Sequence, residues 1–153
     1  MIIRHKGIFH ERSEDAPFIG ALVCAIDCHF NCEGCFNQHI KDEPILINDS
    51  QEIINKVLLN PFNQGIILSG LEWTLQPEEM RELIHLALDN ELEVILYTGL
   101  DEDSFKKEFN DICMLNLYIK FGKFEIESQC NDNKQYSVNL ANSNQKIIKY
   151  GDK

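Results

Sequence analysis

Cys28, Cys32 and Cys35 lie in the run Asp27-Cys28-His29-Phe30-Asn31-Cys32-Glu33-Gly34-Cys35-Phe36-Asn37, a C-x3-C-x2-C spacing. The thiolate is the form of cysteine that ligates metals, and three of them this close can wrap one tight loop around one centre. A closed site needs four ligands, so a [4Fe–4S] cluster held by these three would keep one iron open to a substrate. That opening is what separates a catalytic centre from a structural one. The competing reading is zinc with Cys24 as the fourth ligand. Zinc sites usually pair two C-x(2–4)-C knuckles separated by a dozen or more residues. Here no second knuckle follows. Cys24 also precedes Cys28 by four residues on an expected strand, which holds it roughly 13 Å away if extended.

Two other segments could contribute to a site: Ser69-Gly70-Leu71-Glu72 and Tyr97-Thr98-Gly99. Gly70 lets backbone approach a ligand closely, and the Glu72 carboxylate suits an ammonium group; the alternative is that Gly70 only makes a turn and Glu72 is solvated. His29 and His39 flank the cysteine loop and read as polar loop residues, because three cysteines already meet the ligand count. His85 reads as a structural histidine, Trp73 as a packing residue, and Glu78, Glu79, Glu82, Glu91 and Glu93 as a solvated acidic face. Cys113 sits in an apolar run as a small hydrophobe; Cys130 has no assigned role. Asn144 and Gln145 either close a ligand pocket by hydrogen bonding or tie down the last strand.

The elements that must position these residues follow from hydrophobic period. Phe18 to Asp27 reads as a buried strand leading into the cysteine loop, and Gly65 to Gly70 and Glu93 to Thr98 as further strands. Ile112 to Phe121 reads as another, with a last one near Gln145 to Tyr150. Between them, Asp49-Ser50 can cap a helix with the stripe Ile53, Ile54, Val57 and Leu58. Pro77 opens a second helix carrying Met80, Leu83, Ile84, Ala87 and Leu88. Asp101 caps a short third one with Phe105 and Phe109. Alternating strands and helices imply parallel βαβ units with right-handed crossovers, and ligands gather at the carboxyl ends of such strands. All three candidate segments fall at strand ends. A complete (β/α)8 barrel takes about 250 residues, so a chain of 153 is expected to build a partial, open TIM-type β/α barrel as a single domain over residues 1–153.

Composition narrows the class. The net charge of −11 argues against nucleic acid or an anionic membrane surface as partner. No apolar run approaches the roughly 20 residues that span a bilayer, and the N-terminus lacks a secretory apolar stretch. A cytoplasmic location is expected, where clustered cysteines bind metals rather than form disulfides.

The C-x3-C-x2-C loop after a first strand resembles that of the radical S-adenosylmethionine superfamily. Gly34 before the last cysteine, with Phe36-Asn37 after it, is similar to the glycyl-radical-activating enzymes. Leu68-Ser69-Gly70-Leu71-Glu72 and the ending Asn142-Ser143-Asn144-Gln145-Lys146-Ile147-Ile148 resemble the group that activates the anaerobic (class III) ribonucleoside-triphosphate reductase. The resemblance implies a [4Fe–4S] cluster on Cys28, Cys32 and Cys35, with S-adenosyl-L-methionine on its open iron. It implies that Gly34, Cys35 and Phe36 present backbone to the adenine side of that cofactor and that Gly70 and Glu72 orient its methionine end. Leu71 departs from the usual second glycine of the Gly-Gly-Glu pattern. The implied activity is formation of a 5′-deoxyadenosyl radical that takes hydrogen from a glycine of the reductase, fed by an electron donor such as flavodoxin or ferredoxin. Two rivals stand beside it: an enzyme acting on a small molecule, as 7-carboxy-7-deazaguanine synthases do, for which too few residues remain to build a lid, and a metal-binding interaction module without catalysis.

Overall fold

The computed structural model describes residues 1–30 and 38–151. Its centre is a run of four parallel strands: β3 (Gly20–Cys24), β5 (Gly65–Ser69), β6 (Glu93–Tyr97) and β7 (Leu117–Phe121). Antiparallel strands flank them on both sides, β2 (Ile8–Arg12) beside β3 and β10 (Lys146–Tyr150) beside β7. The six-stranded order is β10-β7-β6-β5-β3-β2. Two small antiparallel pairs complete the ten strands: β1 (Ile2–His5) with β4 (Leu46–Asp49), and the hairpin β8 (Gln129–Gln135) with β9 (Val138–Asn142).

The three α-helices return the chain between parallel strands. α1 (Ser50–Leu59) begins on a capping box in which Asp49 accepts from Gln51 N at 3.1 Å and Glu52 accepts from Asp49 N at 2.8 Å. α2 (Pro77–Asp89) starts with proline in its first turn, where a missing N–H costs nothing. α3 (Glu102–Phe109) is capped by Asp101, which accepts from Ser104 N at 2.8 Å. Their apolar stripes meet one face of the sheet. Ile53, Ile54, Val57, Met80, Leu83, Ile84, Phe105 and Phe109 share a core with Val23, Ile66, Leu68, Leu96 and Ile119. Alternate strand residues point the other way: Leu22, Cys24, Ile67 and Ile95 pack with Val138 and Leu140 of the hairpin.

The expected partial TIM-type barrel is therefore wrong. Among the described residues there are ten strands, in a six-stranded mixed sheet and two small pairs, and three α-helices. A barrel grows by adding parallel strands behind helical crossovers. Here the chain beyond Phe121 carries no helical stripe, folds into the β8–β9 hairpin, and returns antiparallel as β10. Other corrections are local. The strand expected over Ile112 to Phe121 begins only at Leu117, after a 3-10 turn over Ile112–Met114. Phe18 to Asp27 contributes only Gly20–Cys24. Among the described residues no helix is long and apolar enough to cross a membrane.

Candidate metal centre and its cavity

The segment entering the cysteine loop is fixed residue by residue at the carboxyl end of β3. Cys24 exchanges backbone hydrogen bonds with the Lys6–Gly7 turn, donating to Gly7 O at 3.1 Å and accepting from Lys6 N at 2.9 Å. Ala25 N donates to Ser69 O at 3.3 Å, Ile26 N to the Gln76 side chain at 2.9 Å, and Asp27 O accepts from Glu72 N at 2.8 Å. Cys28 N then donates to Asp27 Oδ1 at 2.8 Å. Beneath them Trp73, fully buried, donates its indole N–H to Val23 O at 3.0 Å, a packing residue with its polar end satisfied.

Gly70 is required on two counts. Its φ is +93°, and a Cβ there would lie 2.6 Å from Cys24 Sγ. Glu72 is not solvated: it is 3% exposed. Its Oε2 accepts from Thr74 Oγ1 at 2.6 Å and Thr98 Oγ1 at 2.9 Å, and its Oε1 from Gly99 N at 2.8 Å. One carboxylate thus ties the end of β5 to the end of β6. Among the described residues all of its hydrogen-bond donors are neutral. Leu71, between the two, packs partly buried against the helix-side core.

These strand ends open on a cavity of about 770 Å³. Cys24, Cys28, Gly70, Glu72 and Gly99 line one part of it, and Leu22, Tyr97 and Lys120 continue the wall along the sheet face away from the helices. The hairpin supplies the opposite wall through Val138 to Ala141, so residues expected to form no lid do roof the site. Gln145 is buried immediately before the last strand. It lines the cavity, donates to Gly122 O at 3.2 Å and accepts from Asn142 N at 3.1 Å. Asn144 is exposed and bonds Lys123 O instead.

The cavity is electrostatically unlike the rest of the molecule. Lys6, Arg12, Lys41, Lys120 and Lys123 line it, against Asp15, Glu43 and Glu72, in a chain of net charge −11. Lys120 is nine-tenths buried, donates from Nζ to Gly122 O at 2.9 Å, and holds that ammonium 5.2 Å from the Tyr97 ring centre. Burial pushes the Cys24 thiol up to about 11, with Arg12 pulling weakly against it, so it is a thiol at neutral pH. Burial, reinforced by the nearby Asp15 charge, likewise keeps Tyr97 protonated, and its hydroxyl donates to Asp15 O at 2.6 Å.

Of the residues singled out from sequence, Cys28, Gly70 and Glu72 come together on this cavity; Cys32, Gly34, Cys35 and Phe36 lie outside the described residues. Among the described residues no three histidine, cysteine or carboxylate groups are placed to share a metal ion. The residues present nevertheless suit an iron–sulfur group: two cysteines, Cys24 and Cys28, lie in the cavity wall, and thiolate is the donor such clusters take. His29 stacks on Phe30 at 4.4 Å and His39 lines the cavity. His85 is exposed on α2 rather than structural. Glu79 leaves the expected acidic face: it is nine-tenths buried and accepts from Arg4 Nε at 2.8 Å and Gln76 Nε2 at 2.7 Å. Gln76 and Lys120 were not foreseen. A lysine between Ile119 and Phe121 in an otherwise apolar strand was the available signal for the second.

The model of a family described as a 4Fe-4S single cluster domain matches residues 19–148. No curated protein matches the chain.

Proposed function

Because the chain belongs to the 4Fe-4S single cluster domain family, we propose that it is a radical S-adenosylmethionine activase that forms the glycyl radical of an anaerobic ribonucleotide reductase. The observation that carries the reading is convergence: Cys28, Gly70, Glu72 and Gly99 arrive from three different strand ends on one cavity. In this reading Cys28, Cys32 and Cys35 hold the [4Fe–4S] cluster. With cluster and S-adenosyl-L-methionine bound and an electron supplied by a flavodoxin or ferredoxin, such a centre yields a 5′-deoxyadenosyl radical that abstracts hydrogen from a glycine Cα. The protein's share is positioning and exclusion of water. The sequence resemblance assigns Gly34, Cys35 and Phe36 to the adenine side. Gly70 brings backbone to the methionine end, and Glu72, whose hydrogen-bond donors among the described residues are all neutral, offers its carboxylate to the ammonium group. The protein-substrate assignment rests on the Gly34-Cys35-Phe36-Asn37 pattern and the Asn142 to Ile148 ending.

Anaerobic reconstitution followed by reduction and addition of S-adenosylmethionine tests the first half. The parent should load about four irons per chain and release 5′-deoxyadenosine and methionine, and Cys28→Ala should do neither. A fully loaded protein that releases no 5′-deoxyadenosine sinks the enzymatic reading. Adding the reductase tests the second half, through a glycyl signal in electron paramagnetic resonance.

One observation favours a second reading, action on a small acidic molecule. The β8–β9 hairpin roofs the cavity, and five cationic side chains line it. Cofactor cleavage without any glycyl signal on the reductase would select that reading.

A further inference from the structure

Gly99 is not a glycine for reasons of backbone conformation; it is a glycine for reasons of space. A Cβ there would lie 2.7, 2.9 and 2.9 Å from three ring atoms of Phe30, inside the separation that real carbon contacts tolerate. Phe30 stands midway between Cys28 and Cys32 in sequence. It is half-buried and lies outside both apolar cores. Its ring meets Gly99 along the Cδ2–Cε2–Cζ edge and stacks with His29 at 4.4 Å and 27°. The ring therefore does not serve the general core. Its seat is the carboxyl end of β6.

That seat is rigid. Gly99 N and Thr98 Oγ1 both donate to Glu72, and Leu100 N donates to Thr98 Oγ1 at 3.1 Å. Thr98 N donates to Lys120 O at 2.9 Å, and Gly122 N to Leu100 O at 3.0 Å. The turn 98–100 is thus bound to the ends of both neighbouring strands. The same device recurs one strand over, where bare Gly70 seats Cys24. The limb of chain that carries Cys28 is then gripped at two points, at Cys24 by Gly70 and at Phe30 by Gly99.

We propose that Phe30, seated on the bare backbone of Gly99 with Glu72 holding Gly99 from behind, is a positioning residue that sets where Cys28 presents its thiolate to the iron–sulfur cluster. This rests on the cluster-binding reading and goes beyond it. A ligand displaced by a fraction of an ångström weakens its bond to iron and changes the hydrogen bonding and exposure that set the cluster's spectrum and potential. A purely structural ring would affect the melting temperature and leave those properties alone.

The test uses the full chain, anaerobically reconstituted, as Phe30→Ala, Phe30→Leu, Gly99→Ala and the double variant Phe30→Ala/Gly99→Ala. Three quantities are read: loss of iron to a chelator, the g-values and midpoint potential of the reduced cluster, and the melting temperature of the cluster-free protein. Phe30→Ala and Gly99→Ala should each speed iron loss about tenfold and shift the g-values. The two changes act on one contact, so the double variant should be no worse than either single one. Phe30→Leu should restore most of the parent behaviour. Unchanged g-values and iron loss in Phe30→Ala, or additive effects in the double variant, overturn the proposal. A parent that loads a cluster without cleaving S-adenosylmethionine defeats the activase reading while these readouts still decide this one. A parent that takes up no cluster defeats both.

Discussion

Two residues at the cavity show how little freedom the site allows. Gly70 combines a left-handed φ of +93° with a Cβ position 2.6 Å from Cys24 Sγ. Gly70→Ala therefore meets both a backbone penalty of about 1–2 kcal/mol and a clash with the β3 strand end. Its expected outcome is a melting temperature lowered by several degrees in the cluster-free protein; an unchanged melt would show that the strand ends can part at no cost. Cys24, on the other side of that contact, makes a pH-dependent contribution. Its folded value of about 11 lies above the ordinary 9.0, so the folded state binds its proton more tightly. Stability is then fully present below about pH 9 and declines as pH rises toward 11. Chemical denaturation across that window should show the decline in the parent, and Cys24→Ala should flatten it. Both residues stand out in the sequence, Gly70 as a strand terminus and Cys24 as an upstream cysteine. Glu72 was visible as a carboxylate near a glycine. Its ties to Thr98 and Gly99 were not, because they join residues 26 and 27 positions apart in sequence.

At the scale of elements, the helices and the inner strands were legible and the periphery was not. β5 and β6 are apolar runs closed by Gly70 and Gly99, and α1, α2 and α3 each carry a cap or first-turn proline with a stripe at helical spacing. By contrast β1, β2 and β4 are four or five residues long with at least half of their residues exposed, leaving little pattern to read. The β8–β9 hairpin is more instructive. β8 is polar apart from Cys130, and the turn is Tyr136-Ser137, both at positive φ (49° and 67°) without any glycine. The hairpin signature of a glycine or Asn-Gly pair is missing, so only tertiary packing of Val138 and Leu140 against the sheet reveals it. The same fact makes a prediction. Ser137→Gly relieves a left-handed conformation that suits glycine and should stabilise the protein by up to about 1 kcal/mol, measured by denaturant titration. A loss of stability would mean that the turn is held by side-chain contacts of Ser137.

The whole molecule joins a strongly acidic exterior to a cavity whose lining carries more cations than carboxylates. Like charges on the outside repel one another at low ionic strength. The melting temperature should therefore rise as salt goes from about 0.01 M to about 0.1 M, where the screening length shrinks from about 30 Å to about 10 Å. A fall would show that ion pairs such as Arg4–Glu79 and Glu102–Lys146 outweigh the general repulsion. The barrel expectation failed at this scale too, for a physical reason. Counting strands and helices identifies βαβ units but cannot say which way the edge strands run, since that is decided by pairings such as β10 with β7, formed across the intervening hairpin. The resulting sheet has two unequal faces. Three helices cover one, while the hairpin 129–142 packs on the other together with Ala16, Phe18 and Ile40. The cysteine-bearing pole and the cover are thus separate pieces of chain. Substitutions at Val138 to Ala141 would therefore reshape the cavity wall while leaving the backbone ties of Cys24, Cys28 and Glu72 in place.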